Sequence, residues 1–223
     1  MKYRHEWKHE INYADLLTLR TRLSAVLKPD PHACNGKYYI RSLYFDNLND
    51  KALREKIDGV NEREKFRIRY YNQDTSFICL EKKSKLNNLT AKVSCVITKE
   101  EAQHIVDGDI EWMASSDREL CKELYAKMKS QGLKPRTIVD YTREPFIYAV
   151  GNVRVTIDYA IRTGDFRTDF LNPNTLTLPT IDSPIILEVK WDDFLPDIVR
   201  SAVTIPSRNV SAFSKYAQCR IYG

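Results

Sequence analysis

Charged side chains recur at every second position in segments of the chain that are rich in aromatic and β-branched residues. Arg67 and Arg69 share one side of their segment, and Glu188 and Lys190 share one side of another. Because successive side chains of a β-strand point to opposite faces, each such segment presents its charges on a single face. Arginine and lysine bind phosphate oxygens, and magnesium and manganese prefer carboxylates and substrate phosphates as ligands. These residues therefore predict metal-assisted phosphate chemistry.

The polar faces of these segments carry more cations than anions. They hold ten cations against four anions, namely Arg4, Lys8, Arg67, Arg69, Lys83, Lys85, Lys92, Arg143, Arg154 and Lys190 against Glu6, Glu81, Asp158 and Glu188. The excess of six exceeds the net charge of the whole chain, which is +5. Charges gathered in a partly desolvated cavity repel one another strongly unless an anion neutralises them. We therefore expect a site for several phosphates, within which Asp158 pairs with Arg154 on the same strand face.

Eight segments have the alternation and composition of β-strands, covering residues 4–11, 37–46, 65–71, 76–85, 90–97, 136–150, 152–162 and 184–193. This pattern is typical of an antiparallel sheet folded into a barrel or a sandwich. If the sheet closes into a barrel, its polar faces line one lumen. The sequence alone leaves both architectures open.

Helices are predicted between these strands. Asn12 has the residue type of an N-cap, and Thr98 and Ser116 each precede a glutamate by three positions, the spacing of a capping box. A C-terminal helix is predicted over about 210–220, and the proline-containing stretch 164–184 reads as a long loop. The helices then flank the sheet.

Composition excludes several classes of protein. No run of 18 apolar residues exists, and the N-terminus lacks an apolar stretch behind its charges, so neither a membrane span nor a secretory signal is expected. Five dispersed cysteines without a C-x-x-C motif indicate reduced thiols in a cytoplasmic protein and no zinc site. The chain also lacks the G-x-x-x-x-G-K-[ST] and G-x-G-x-x-G phosphate loops.

The order of the charged motifs resembles the VTC domain, the catalytic domain of the vacuolar transporter chaperone polyphosphate polymerases, within the triphosphate tunnel metalloenzyme (CYTH-like) superfamily. The resemblance extends from Arg4 to Lys215 and rests on the number and order of the motifs, which are E-x-K (Glu6, Lys8), R-x-R (Arg67, Arg69), E-x-K (Glu81, Lys83), Lys92, Y-x-R (Tyr141, Arg143), V-R-V-T-I-D (153–158), E-x-K (Glu188, Lys190) and S-K (Ser214, Lys215).

The resemblance implies an α+β fold, an eight-stranded antiparallel β tunnel barrel with flanking helices, in a single domain over residues 1–223. It also implies a role for each matching residue. Lys8, Arg67, Arg69, Lys83, Arg143, Arg154 and Lys190 would act in catalysis along the phosphate path, and Lys92, Tyr141, Ser214 and Lys215 would bind substrate. Glu188 would hold Mn²⁺ or Mg²⁺, with Glu6 and Glu81 as further candidates for the metal.

The implied activity is transfer of the γ-phosphate of ATP to a growing inorganic polyphosphate chain, without nucleic acid as a partner. Because the chain carries neither a phosphate-sensing domain nor membrane helices, it resembles the stand-alone prokaryotic form, and the resemblance names no membrane-associated partner. Two alternatives stay open. One is a hydrolase of tripolyphosphate or nucleoside triphosphates that uses the same tunnel. The other is a module that binds polyphosphate without catalysis.

Overall fold

The computed structural model describes residues 4–87 and 89–221, in which an antiparallel sheet curls around a central cavity. Its strands are β1 (His5–Ile11), β2 (Lys28–Pro29), β3 (Tyr38–Asp46), β4 (Arg63–Tyr71), β5 (Asp74–Leu86), β6 (Leu89–Ile97), β7 (Lys134–Tyr148), β8 (Val153–Thr163), β9 (Leu178–Pro179) and β10 (Ile185–Trp191). The main hydrogen-bonded order is β1-β10-β8-β7-β3-β4-β5-β6, while β2 pairs with β7 and β9 with β8. The eight long strands match the eight predicted segments to within two residues at each end.

The sheet curls until its two ends approach each other, and a single bridge beside β1 joins them into a tunnel barrel. Arg4 and Thr90 exchange backbone hydrogen bonds, with N···O distances of 3.1 and 3.4 Å. Farther along β1, the Ser211 amide donates to the carbonyl oxygen of Lys8 at 2.7 Å. The segment around Ser211 therefore covers β1 where β6 does not pair with it. The predicted α+β tunnel barrel is confirmed, and the sandwich is excluded.

Helices pack on the outside of the barrel. They are α1 (Tyr13–Val26), α2 (Lys51–Ile57), α3 (Lys99–Asp107), α4 (Glu119–Gln131), α5 (Asp197–Val203) and α6 (Lys215–Ile221), with short 3-10 helices at Glu111–Ser115 and Val150–Asn152. One core lies between β3–β5 and the helices α3 and α4, where Phe66 and Ile68 pack with Ile105 and Leu124. A second core joins α1 and α5 to β8 and β10. The apolar face of each strand thus packs outward against the helices, and the polar faces line the lumen.

Two of the three predicted N-caps are confirmed. Asn12 and Thr98 each accept a backbone N–H with the side-chain oxygen, at 2.8 and 3.1 Å, in complete capping boxes. The capping box at Ser116 is wrong. The N-cap of α4 is Arg118, whose backbone N–H donates to the Ser116 hydroxyl at 3.2 Å, so the turn at Ser116 precedes the helix instead of capping it.

The predicted C-terminal helix is too long at its start. The observed helix begins at Lys215, and the residues before it run extended against β1. The helices α2 and α5 were not predicted. Each has seven residues, and a helix of that length depends on tertiary contacts more than on its own sequence. In α2, for example, the buried Asp46 carboxylate accepts the backbone N–H groups of Ala52 and Leu53. Within the described ranges, no helix is long and apolar enough to cross a membrane.

Candidate phosphate-binding tunnel

The inward faces of the strands enclose a cavity of about 360 Å³, here called the central cavity. Eleven cations and two carboxylates line it, namely Arg4, Lys8, Lys65, Arg67, Arg69, Lys83, Lys92, Arg143, Arg154, Lys190 and Lys215 with Glu6 and Glu188. Tyr44, Tyr71, Tyr141, Thr90 and Ser214 add hydroxyl groups, and Ala91 completes the lining. Low-dielectric walls lined by one sign of charge focus the electrostatic field, so the cavity suits a ligand with several negative charges.

Thirteen of the fourteen predicted site residues line this one cavity. The exception is Glu81, which is buried behind the lining. Its carboxylate accepts from Arg67 Nε at 2.7 Å and from Lys92 Nζ at 2.9 Å. Burial alone would raise the pKa of Glu81, but Arg67, Arg69 and Lys92 lower it well below its usual range. Glu81 therefore orients two cavity cations and does not join the other two predicted metal ligands.

Strand register explains how residues far apart in the chain meet. In β1 and β10, Lys8 lies opposite Glu188, and Glu6 lies opposite Lys190. In β10 and β8, Lys190 lies opposite Arg154. Since side chains directly opposite each other on antiparallel strands are neighbours, the register assembles an alternating group of cations and carboxylates on one wall.

Lys8 bridges the two carboxylates of the cavity. Its Nζ lies 2.7 Å from Glu6 Oε1 and 3.6 Å from Glu188 Oε1. Lys83 lies 2.8 Å from the other oxygen of Glu6, and Lys190 lies 2.7 Å from Glu188 Oε2. Burial raises the pKa of each carboxyl group, but the surrounding cations outweigh burial and lower both pKa values. Both groups are therefore ionised at neutral pH.

The two carboxylates of this wall suit a hard divalent cation that also keeps water or phosphate oxygens as ligands. Among residues 4–87 and 89–221, no three His, Cys, Asp or Glu residues come together as a group that could hold a metal ion. Glu6 and Glu188 supply two ionised carboxylates beside a space suited to phosphate. Magnesium is commonly held by one or two carboxylates plus substrate phosphates and water, and manganese accepts the same oxygen ligands. The pair fits such an ion.

A third carboxylate, Asp158, lies fully buried behind the lining and next to Glu188, since Arg143 Nη2 contacts both carboxylates. It accepts two hydrogen bonds from Arg143, both at 2.7 Å, and one from Lys215 Nζ at 2.5 Å. The expected pair with Arg154 is therefore wrong. Arg154 instead bonds to Asp30 at 3.0 Å, because register places Arg143, on the neighbouring strand, directly opposite Asp158.

The sequence analysis missed five lining residues, Tyr44, Lys65, Tyr71, Thr90 and Ala91, of which Lys65 and Tyr44 bear most on the chemistry. Lys65 lies on the same alternating face of β4 as Arg67, so its spacing alone would have assigned it to the lumen. Tyr44 lies opposite Arg67 in the β3–β4 register, and its hydroxyl accepts from Arg67 Nη1 at 2.8 Å. Burial raises the pKa of Tyr44, but Arg67, Lys65 and Arg69 outweigh burial and lower it to about 7. Only the register, which the sequence does not show, could have identified Tyr44.

Solved structures share this fold at low sequence identity. A protein from Pyrococcus horikoshii is 12% identical with a TM-score of 0.53, covering 97% of this chain and 99% of that chain. A candidate adenylate cyclase from Bacillus halodurans is 12% identical with a TM-score of 0.52, covering 93% of this chain and 95% of that chain. A conserved hypothetical protein from Pyrococcus furiosus is 11% identical with a TM-score of 0.51, covering 97% and 99% of the two chains. At these identities the likeness concerns the fold alone.

Comparison of sequences identifies a family, which the structural likenesses do not. No curated protein is similar enough in sequence to match the chain. The family model described as the VTC domain, however, matches residues 3–221. That range contains all the strands and helices of the barrel and every residue of the central cavity. The chain therefore belongs to the VTC domain family.

Proposed function

We propose that this chain is a metal-dependent polyphosphate polymerase, which transfers the γ-phosphoryl group of ATP to the end of an inorganic polyphosphate chain. One observation carries the proposal: eleven cations and two carboxylates line a single cavity inside the barrel. Four more carboxylates, Glu81, Asp158, Asp30 and Asp192, pair with these cations from behind the lining, which still leaves an excess of five positive charges. An excess of that size favours a ligand with several negative charges at close spacing. A linear chain of phosphates is such a ligand, and family membership supports it.

In the proposed reaction, a terminal phosphate oxygen of the acceptor chain attacks the γ-phosphorus of ATP. The bond between that phosphorus and the β,γ-bridging oxygen breaks, and ADP leaves with the bridging oxygen. Arg67, Arg143 and Lys190 bind the phosphates and offset the charge that develops on them. A magnesium or manganese ion on Glu188, assisted by Glu6, would supply further neutralisation of phosphate oxygens. Positioning and electrostatics suffice for such a transfer, so no protein nucleophile is required.

The carboxylates of the cavity are poor bases for the activation of water. Hydrolysis is assisted by a base that removes a proton from water, and such a base works best with a pKa near the working pH. The pKa values of Glu6 and Glu188 are lowered by their cations, so both are weak bases. A terminal phosphate already carries a negative oxygen and needs no such base. The two carboxylates therefore do not supply the base for hydrolysis. Tyr44 and Lys83, whose pKa values are lowered to about 7, have pKa values suited to that role, so the preference for the polymerase over the hydrolase rests on family membership.

The test is an analysis of products from ATP. Purified protein is incubated with ATP and Mn²⁺, with and without a pyrophosphate primer, and the products are separated on a gel that resolves polyphosphate lengths. We expect a ladder of chains and one ADP for every phosphate added. Free phosphate without chains would contradict the polymerase and establish the hydrolase. Binding of polyphosphate without turnover of ATP would contradict both enzymes.

A further inference from the structure

Two cysteine side chains meet on the outer side of the barrel, between β6 and α4. The Sγ atom of Cys95 lies 3.8 Å from the Sγ atom of Cys121. In the β5–β6 register Cys95 lies opposite Leu80, and both side chains pack in the core that β3–β5 form with α3 and α4. Neither cysteine lines the central cavity, so the pair is separate from the candidate phosphate site.

The other three cysteines of the chain lie elsewhere. Cys79 is next to Leu80 in β5, so its side chain faces the opposite side of the sheet from Cys95. Cys34 is exposed in the loop before β3. Cys219 is buried in α6, where its sulfur lies 3.6 Å from the carbonyl oxygen of Arg162. Cys95 and Cys121 are therefore each other's natural partners.

The surroundings of Cys121 favour a thiolate. Cys121 lies in the first turn of α4, where the backbone N–H groups carry partial positive charge. Arg118, the N-cap, donates a hydrogen bond to the carbonyl oxygen of Val96 at 2.9 Å, which holds a cation between α4 and β6. The hydrogen bond from Cys95 lowers the pKa of Cys121, and Arg118 and Ser116 add to this effect against burial. The same hydrogen bond and burial raise the pKa of Cys95.

The two thiols differ in exposure. Cys95 is partly exposed, whereas Cys121 is fully buried. A dissolved oxidant therefore reaches Cys95, and Cys121 is placed to react with the product. The sulfur atoms must approach from 3.8 Å to the bonded distance of about 2.0 Å. A shift of that size lies within the reach of side-chain rotation and a small displacement of β6.

We propose that Cys95 and Cys121 are a site of reversible oxidation, at which hydrogen peroxide converts the two thiols into a disulfide that fastens β6 to α4. Cys95 attacks one peroxide oxygen while its proton passes to the Cys121 thiolate. An S–O bond forms, the O–O bond breaks, and hydroxide leaves and is protonated by solvent to water. This step leaves a sulfenic acid on Cys95 and a thiol on Cys121.

The second step forms the disulfide. Cys121 attacks the sulfur of the Cys95 sulfenic acid, so that the S–S bond forms and the S–O bond breaks. The oxygen leaves as water with the proton of Cys121. In sum, two thiols are oxidised to one disulfide, and one peroxide is reduced to two waters. A dithiol reverses the reaction by thiol–disulfide exchange.

The disulfide would act on the least supported strand of the barrel. β6 is last in the strand order, and the bridge between Arg4 and Thr90 joins it to β1. The inner face of β6 carries Thr90 and Lys92 into the central cavity. A covalent link from Cys95 to α4 therefore holds the edge at which the barrel closes.

The test is a map of disulfides after oxidation. Reduced protein is treated with hydrogen peroxide, the remaining thiols are blocked with N-ethylmaleimide, and linked peptides are identified by mass spectrometry. We expect peptides joined through Cys95 and Cys121, which dithiothreitol separates. The crosslink joins positions 26 residues apart, so the thermal midpoint of the oxidised protein should rise by about 5 °C or more.

Two variants serve as matched controls. Cys121→Ser should give neither the linked peptides nor the rise in the midpoint, and Cys95→Ser replaces it if it does not fold. Cys34→Ser removes the exposed thiol and should behave as the wild-type protein. The map of the wild-type protein decides the central point without any variant.

Four results would overturn the inference. The first is blocked, unoxidised Cys95 and Cys121 at a peroxide concentration that oxidises Cys34 completely. The second is a link from either residue to another cysteine, and the third is loss of the Cys95–Cys121 link in Cys34→Ser. The fourth is a linked protein whose midpoint does not rise, which would show that the disulfide does not fasten β6.

Discussion

Arg143 and Asp158 form a two-pronged ion pair in the wall of the central cavity, with both N···O distances at 2.7 Å. Asp158 also accepts from Lys215 at 2.5 Å, so one carboxylate holds two cavity cations. Burial raises the pKa of Asp158, but Arg143 and Lys215 outweigh burial and lower it. The contact with Lys215 joins the start of α6 to the sheet. Asp158 therefore links α6 to the barrel wall through its ion pairs with Lys215 and Arg143.

Replacement of Asp158 by asparagine should destabilise the fold. The variant leaves Arg143 and Lys215 without their buried partner, and loss of one partner of a buried ion pair costs about 3–5 kcal/mol. The free energy of unfolding is measured by urea titration followed by circular dichroism. Asp117→Asn is the control, because the Asp117 side chain is 98% exposed and should change little. Equal stability of the two variants would show that the Asp158 pairs contribute nothing net.

Replacement of Arg67 by alanine should reduce turnover while the protein stays folded. Glu81, its partner, keeps Lys92 at 2.9 Å and Arg69 at 3.7 Å, so the carboxylate does not lose all its cations. Removal of one group that stabilises transition-state charge lowers the catalytic rate about 100-fold or more. Release of ADP from ATP in the presence of Mn²⁺ measures the effect. Arg167→Ala, on the exposed loop after β8, should turn over normally. Normal turnover of Arg67→Ala would contradict its assignment to the phosphate path.

The sequence predicted the wall of the barrel well because alternation is a local property. Side chains of one strand face need only their own spacing to be assigned, and Arg67, Lys83 and Lys190 all face the lumen as expected. Pairing between strands depends on register, which no local pattern encodes. For this reason the partner of Asp158 was assigned wrongly.

The same reason explains the site features that the sequence did not show. The first turn of the short helix α2 is held by tertiary hydrogen bonds to Asp46, so the sequence did not show this helix beside β4. Tyr44 enters the site only because it lies opposite Arg67 across two strands. Both features arise from packing between segments that are distant in the sequence.

Replacement of Glu188 by glutamine should separate metal binding from phosphate binding. If Glu188 holds the metal, turnover in the presence of Mn²⁺ falls about 100-fold or more, since the ion neutralises the phosphate oxygens in the transition state. Removal of a negative charge from the cavity should not weaken binding of tripolyphosphate in the presence of a chelator. Both quantities are measured on Glu10→Gln, an exposed residue of β1, as the control.

Turnover of Glu188→Gln is expected to fall, whereas its metal-free affinity for tripolyphosphate is not. The two measurements together therefore decide the role of Glu188. Weaker metal-free binding together with unchanged turnover would mean that Glu188 supports the cavity structurally. In that case the metal would have to be held by other residues.

Phosphate binding should weaken as the pH rises through the pKa of Lys65. Burial lowers the pKa of Lys65, Tyr44 opposes the shift, and Lys8 and Arg67 add to it, which gives a value of about 8. Below pH 8 the ammonium is charged and attracts phosphate, and above it the amine is neutral. A bound anion favours the charged form, so binding takes up a proton near pH 8.

The measurement is the affinity for tripolyphosphate between pH 7 and pH 9. The comparison is with Lys65→Met, because the ligand itself titrates equally in both experiments. We expect the variant to bind more weakly at pH 7 and to approach the wild-type affinity at pH 9. Parallel curves at all pH values would show that Lys65 does not titrate in this range.

The most direct measurement of the central claim is a crystal structure of the protein with tripolyphosphate. The account predicts phosphate density inside the barrel, with oxygens within hydrogen-bonding distance of Arg67, Arg143 and Lys190. The ion pairs of Lys8 with Glu6 and Glu188 should lengthen as the lysine turns toward the ligand. Ordered tripolyphosphate on the outer surface, with the central cavity holding only water, would contradict the account.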